Sequence, residues 1–329
     1  VPHLEHTMVD GVFELADQRI GARGVRELDV RKMRGSAFLR GRHFYEITAG
    51  GITVYPRTEA MLATATAPAE EKRYRLAFGI PRFDEMLMGG VLSNSTTMIL
   101  GAPGSGKSML GLHFLAEGAR RGERGLHFGF NEIPSRLIGK ADNVGLGFGP
   151  AVADGRITVI WQPFLEEIVD VLVARVLTAV REHGIRRLFI DGFGEFYNAA
   201  IYPDRIVALL TGFSNELRSL NVTMVFSLQT EHLFDSTISA PIPGIAGVAE
   251  NIIFLRYVEL HSQLYRLVSI MKVQESGYDP AIREFRITSE GVDVAPTFQS
   301  AEAILTGVAR ALAASPGLAE RPVPPGRAE

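Results

Sequence analysis

GAPGSGKS, residues 101–108, decides how the rest of the chain is read. It fits G-x-x-x-x-G-K-S, a loop whose backbone N–H groups curl round a phosphate. Gly104 and Gly106 leave room for that curl, and the helix expected after Lys107 adds its positive end. Lys107 would neutralise the β- and γ-phosphates, and Ser108 would offer a hydroxyl to Mg²⁺. The nucleotide-binding stretch is therefore Gly101, Ala102, Pro103, Gly104, Ser105, Gly106, Lys107, Ser108 and Met109, with ATP and Mg²⁺ as cofactors. The flanks suit the motif. TTMILG (96–101) is a short apolar run typical of a buried strand, and Leu110, Phe114 and Leu115 carry helical spacing.

Outward from the loop, strands and helices alternate. RGLHFGF (124–130), RITVIW (156–161), RRLFID (186–191) and VTMVFSL (222–228) read as strands, with helical patterns at 165–183 and 204–219. That alternation predicts an α/β fold with a parallel sheet covered on both faces. NIIFLRY, YRLVSIMK and REFRIT then follow without intervening helices, which predicts an antiparallel extension. Asp191 ends RRLFID 84 residues after Lys107, where an acid can reach the magnesium shell. Acids are also common at such strand ends. Glu132, in FNE at 130–132, lies just past the second strand, at the carboxyl edge where such sheets bind ligands. It could polarise an attacking water. It could instead belong to a helix N-terminus, because Pro134 begins a helix-like stretch.

A second signal is a repeat. RKMRGS (31–36) and MKVQES (271–276) place Lys32 and Lys272 240 positions apart, and the chain laid on itself at that offset matches without a gap. Leu15/Leu255, Arg26/Arg266, Ser36/Ser276, Thr48/Thr288, Gly51/Gly291 and Pro56/Pro296 are identities. Alternation alone explains paired apolar residues but not paired Gly and Pro. The expected division is residues 1–57 as the tail of an upstream copy, 58–74 as a linker, 75–300 as the nucleotide-binding domain, and 301–329 as a C-terminal helix with a Pro-rich tail. The chain lacks an initiator Met, which fits a fragment of a tandem protein.

Composition narrows the class. Of 329 residues, 46% are hydrophobic, the net charge is −3 and there is no cysteine, which removes disulfides, thiol catalysis and Cys-based zinc. A cysteine-free chain suits a reducing, cytoplasmic setting. No apolar run approaches the roughly 18–20 residues of a membrane span. DNA handling needs basic loops facing the nucleic acid, yet residues 230–251 and 192–204 contain no Lys or Arg.

GIPRFDEMLMGG, GAPGSGKS, LHFGFNEIPSRL, RRLFIDGF, AENIIFLRYVEL, MKVQES and IREFRIT, in this order, resemble the KaiC family of tandem RecA-type ATPases related to the cyanobacterial circadian clock. The match runs through nearly all of 75–298. The resemblance implies a RecA-like P-loop fold and a homo-oligomeric, hexameric ring with ATP between subunits. It also implies slow ATP hydrolysis used in signalling or timing, and a partner that is KaiB-like or another signalling protein. The family carries two adjacent glutamates after the second strand, one serving the catalytic water; here the pair reads Asn131-Glu132. The family also sends Lys-x-Arg from each subunit to the next subunit's phosphates. Lys32-Met33-Arg34 keeps that element, while the later copy reads Lys272-Val273-Gln274, so Lys272 acts in trans without its arginine. Glu132, Lys107 and Lys272 are thus the catalytic candidates, with Ser108 and Asp191 as the magnesium ligands. Two alternatives stay open: a serine/threonine autokinase, and a nucleotide-gated scaffold with little turnover. The clock protein's Ser-Thr phosphorylation pair falls on Ala246-Gly247, or on Ser239-Ala240 in a shifted register. Neither reproduces it, which leaves Ser236, Thr237 and Ser239 as candidate acceptors.

Overall fold

The computed structural model describes residues 8–62, 73–163, 167–230, 240–260 and 262–296. Four N-terminal strands, β1 (Gly11–Ile20), β2 (Arg23–Met33), β3 (Arg42–Thr48) and β4 (Gly51–Tyr55), form an antiparallel sheet of their own. β5 (Arg75–Leu76) and β6 (Val91–Leu92) make a small ribbon. The remaining strands are β7 (Thr96–Gly101), β8 (Gly125–Gly129), β9 (Ile157–Trp161), β10 (Arg187–Asp191), β11 (Thr223–Gln229), β12 (Asn251–Leu260), β13 (Gln263–Val273), β14 (Arg283–Thr288) and β15 (Gly291–Val294). They form one sheet in the order β15-β14-β13-β12-β7-β11-β10-β8-β9. From β12 to β9 every pairing is parallel; from β12 to β15 every pairing is antiparallel.

The apolar run of β7 explains its central place. Met98 and Leu100 face one apolar layer, with helices Val169–His183 and Ile206–Ser219; Ile99 faces the other, with helix Lys107–Arg120. Alternate side chains thus fill opposite faces, as a strand buried on both sides requires. This is the RecA-like arrangement with an antiparallel extension. Parallel pairing brings the carboxyl ends of β7, β8, β10 and β11 to one edge, and the chemistry lies there. Among the described residues no helix is long and apolar enough to cross a membrane.

The 240-residue repeat is a repeat of structure. Gly11 pairs with Met33 and Asn251 with Val273; Ile20 pairs with Arg23 and Leu260 with Gln263. Both hairpins carry a bulge at the same step, Val12/Phe13 and Ile252/Ile253. The turns match as well, since the Thr48 and Thr288 hydroxyls donate to the carbonyls of Gly51 and Gly291. The surroundings differ. Phe13, Leu15 and Ile52 are 55%, 58% and 61% exposed, whereas their counterparts Ile253, Leu255 and Val292 are 0%, 1% and 9% exposed. The face that β12–β15 bury in the layer of helix Lys107–Arg120 is bare in β1–β4.

The other face of the N-terminal sheet meets the main body. Buried Glu27 accepts from Tyr202 at 2.9 Å and from Arg42 at 3.3 Å, and Phe44 stacks on Tyr202. The first residues after the sheet form the short helix Thr58–Met61, anchored by buried Asp170, which accepts from the Thr58 N–H at 2.8 Å and hydroxyl at 2.9 Å. Arg205 bridges Asp170 and Glu59; burial works against its charge, but the hydrogen bonds and charges of these two acids outweigh it and raise its pKa. Asp170→Ala would leave a buried amide unpaired and Arg205 half-compensated. The expected loss is about 3 kcal/mol of stability, read as a lower midpoint in denaturant unfolding. An unchanged midpoint would mean that the anchor carries no load.

Candidate functional site

The loop begins where β7 ends. Gly104 and Gly106 adopt φ of 73° and 107°, left-handed values that a Cβ disfavours. Gly106 is the N-cap of helix Lys107–Arg120, so the helix's positive end opens into the loop. The Lys107 ammonium donates to the carbonyls of Gly101 and Ala102, each at 2.8 Å. The Met109 side chain is buried in the apolar layer, so only its backbone N–H, in the first turn of the helix, can face the loop. Ser105 is buried and its hydroxyl has no partner.

Pro103, Gly104, Lys107 and Ser108 line a cavity of about 240 Å³ together with Asn131, Glu132 and Asp191. The structure therefore brings Lys107, Ser108, Asp191 and Glu132, distant in sequence, to one place. Asp191 accepts from the Ser227 hydroxyl at 2.7 Å, and that oxygen accepts from the Gly192 N–H at 2.8 Å, so the carboxylate is held in orientation. Glu132 does not cap the following helix, whose N-cap is Ile133 with no side-chain bond. Its carboxylate accepts instead from Lys140, at 3.0 Å in the last turn of helix Pro134–Asp142.

Ser108 and Asp191 supply a hydroxyl and a carboxylate, both hard oxygen donors. Among the described residues no cluster of three or more His, Cys, Asp or Glu could hold a metal. A small donor set fits Mg²⁺, which keeps waters and shares phosphate oxygens.

Burial pushes the Lys107 ammonium down to about 8, with Asp191 working in the other direction. Polyphosphate favours the charged form, so binding above that value must take up a proton. ATP affinity is therefore expected to be insensitive to this group below pH 7 and to fall as pH rises through 8. Calorimetry at pH 9 in buffers of different ionisation enthalpy should show uptake approaching about one proton per site. No uptake would mean that Lys107 is already charged.

Lys272 lies elsewhere. It stands opposite Ile252, which pairs with Met98, whereas Leu255 is the residue that pairs with Gly101. That puts it roughly 10 Å back along the strands from its own loop and two strands across. Its ammonium donates to the carbonyls of Ala249 at 2.7 Å and Ala246 at 3.3 Å. Ser236, Thr237 and Ser239 lie outside the described residues.

Several groups at the site escape a reading of the sequence. Ser227, Gln229 and His127 line the cavity but carry no motif; their relevance follows from the strand order. Arg266 donates to the Gly104 carbonyl at 3.3 Å, with its guanidinium 5.6 Å from the centre of the Tyr257 ring. At the same register in the first hairpin stand Arg26 and Asp17, an ion pair. The identity Arg26/Arg266 was the available signal for this clasp.

A family model described as "ATPase: KaiC" matches residues 1–59 and 76–299. Among curated proteins, the circadian clock oscillator protein KaiC of Picosynechococcus sp. is 25% identical over 304 residues, covering 92% of this chain and 58% of its own length. The protein of that name from Synechococcus elongatus is 25% identical over 320 residues, covering 92% and 57%. That from Parasynechococcus marenigrum is 26% identical over 316, covering 93% and 58%. The chain thus spans somewhat under three-fifths of the length of these relatives.

Proposed function

The chain belongs to the KaiC ATPase family, and from that premise we propose that it is a slow ATPase, working as a homo-oligomeric ring in signalling or timing. The observation that carries this reading is the convergence of Lys107, Ser108, Asp191 and Glu132 on one cavity at the carboxyl edge of the sheet. In this reading the loop amides and Lys107 bind the phosphates, and Glu132 takes the proton of the attacking water. Ser108 and Asp191 hold Mg²⁺, which neutralises charge on the phosphates when bound. Slowness has three supports: Asn131 stands where the family has the first of its two glutamates, Gln274 replaces the trans arginine, and Glu132 is tied to Lys140.

Lys272 is too far from its own loop to serve it, so in this proposal it serves a neighbour's. Lys32-Met33-Arg34, at the same hairpin position, serves the phosphate site of an upstream unit whose helical layer would cover the bare face of β1–β4. The autokinase reading has less support, because the family Ser-Thr pair falls on Ala246-Gly247. DNA handling has none in the acidic, Lys- and Arg-free stretch 230–251.

The test joins mass and turnover. The purified protein should grow from monomer to ring when ATP and Mg²⁺ are added, with hydrolysis well below one turnover per second. A monomer that binds ATP and never hydrolyses it would instead favour the nucleotide-gated scaffold.

A further inference from the structure

The cavity holds one buried group that the proposed chemistry does not use. His127, on β8, is 2% exposed, and neither ring nitrogen has a hydrogen-bond partner. An imidazole carries a donor or an acceptor at each nitrogen, and leaving one dry in the interior costs on the order of 1–3 kcal/mol. Such a group marks a missing partner.

The neighbours show where that partner belongs. The ring stands edge-on to Phe189, with centroids 5.6 Å apart and planes at 66°. Its Cε1 edge lies across Gly129, two residues on and on the same strand face. A Cβ at Gly129 would sit 2.5 Å from Cε1, 3.3 Å from Nδ1 and 3.4 Å from Nε2. The glycine makes the room in which the ring lies. In register Gly129 is opposite Asp191 and His127 is opposite Phe189, so the imidazole sits one pleat repeat below the carboxylate. His127, Asp191 and Glu132 line the same cavity. Burial favours the neutral ring, against the pull of Asp191 and Glu132. A neutral ring offers an N–H at one nitrogen and a lone pair at the other, and a water can bond either one.

We propose that His127 holds the attacking water: one of its two unpartnered ring nitrogens bonds a water between Asp191 and Glu132 and keeps it in line with the terminal phosphate. The proposal rests on the nucleotide-site reading above. A residue that acts on the water matters after ATP has bound, so its loss should spare ground-state affinity and weaken the binding of a mimic in which the in-line geometry is set.

The test compares ATP with Mg²⁺–ADP–aluminium fluoride, using His127→Phe to keep the contact with Phe189. ATP affinity is expected to stay within about threefold, while affinity for the mimic falls roughly 10- to 100-fold and turnover falls with it. Gly129→Ala, whose Cβ displaces the ring, should reproduce the loss. Unchanged mimic affinity in a folded His127→Phe protein overturns the proposal, and so does an equal loss for ATP and mimic, which would mark a packing role. Should both variants fail to fold, the ring ¹⁵N signals of His127 in the wild-type protein decide: they should shift on adding the mimic, and unmoved signals overturn the proposal. Lys107→Ala separates this from its premise. If that variant keeps wild-type ATP affinity, the nucleotide site itself fails; if it loses affinity while His127→Phe binds the mimic normally, only the role of His127 fails.

Discussion

Lys107→Ala should lower ATP affinity by about two to three orders of magnitude and leave the fold intact. The size follows from charge. Each hydrogen bond from an ammonium to a phosphate oxygen contributes about 1.5–3 kcal/mol, and the lysine is placed to make more than one. A loss of about 3–4 kcal/mol corresponds to that range of affinity. The fold is spared because the ammonium bonds only the carbonyls of Gly101 and Ala102, at the end of β7, and each of these keeps a second donor in the N–H of Thr230 or Ser105. Titration with a fluorescent nucleotide measures the affinity, and unfolding by heat with no nucleotide present checks the fold. An affinity within threefold of wild type would remove the phosphate loop from the binding site. A large drop in unfolding temperature would mean that the lysine holds the loop itself, and the affinity would then have to be read from Lys107→Met.

What could be read without coordinates was local or periodic. β7 and helix Lys107–Arg120 follow from an apolar run, a glycine-rich turn and helical spacing, all within 25 residues. The repeat could be read because an offset of 240 aligns Lys, Gly and Pro, which have positional jobs in hairpins. Its register and bulge then coincide pair for pair. The fate of its exposed face could not be read, since Phe13 and Ile253 carry the same apolar signal and differ only in what lies above them. Contacts across the sheet were also hidden. Ser227 reaches Asp191 because β11 neighbours β10, a parallel pairing between segments separated by a whole helix. Glu132 could be read as a base for water or as a helix-start acid, and the structure joins it to Lys140 eight residues on. His127 looked like a strand residue among apolar neighbours. Only the cavity shows that its ring has polar company and no partner.

Glu132→Gln should cut hydrolysis by roughly 10²- to 10⁴-fold, the span of a lost general base, with ATP affinity within about threefold. Glutamine keeps the size and hydrogen-bonding shape of the side chain but cannot take a proton from water. The Lys140 contact adds a second arm. At 3.0 Å the pair is well formed, yet Lys140 and Glu132 are 41% and 30% exposed, so solvent limits it to at most about 1 kcal/mol. An attachment that weak restrains Glu132 without disabling it. Lys140→Ala should therefore release the carboxylate and raise turnover by up to about fivefold, the factor that 1 kcal/mol allows. The two substitutions share one group, so their effects cannot add: in Glu132→Gln the further change Lys140→Ala should do almost nothing. Single-turnover rates at saturating ATP measure all four proteins of this cycle. If Lys140→Ala instead slows the reaction as much as Glu132→Gln does, Lys140 takes part in holding the reacting phosphate, and the ion pair is part of the working site.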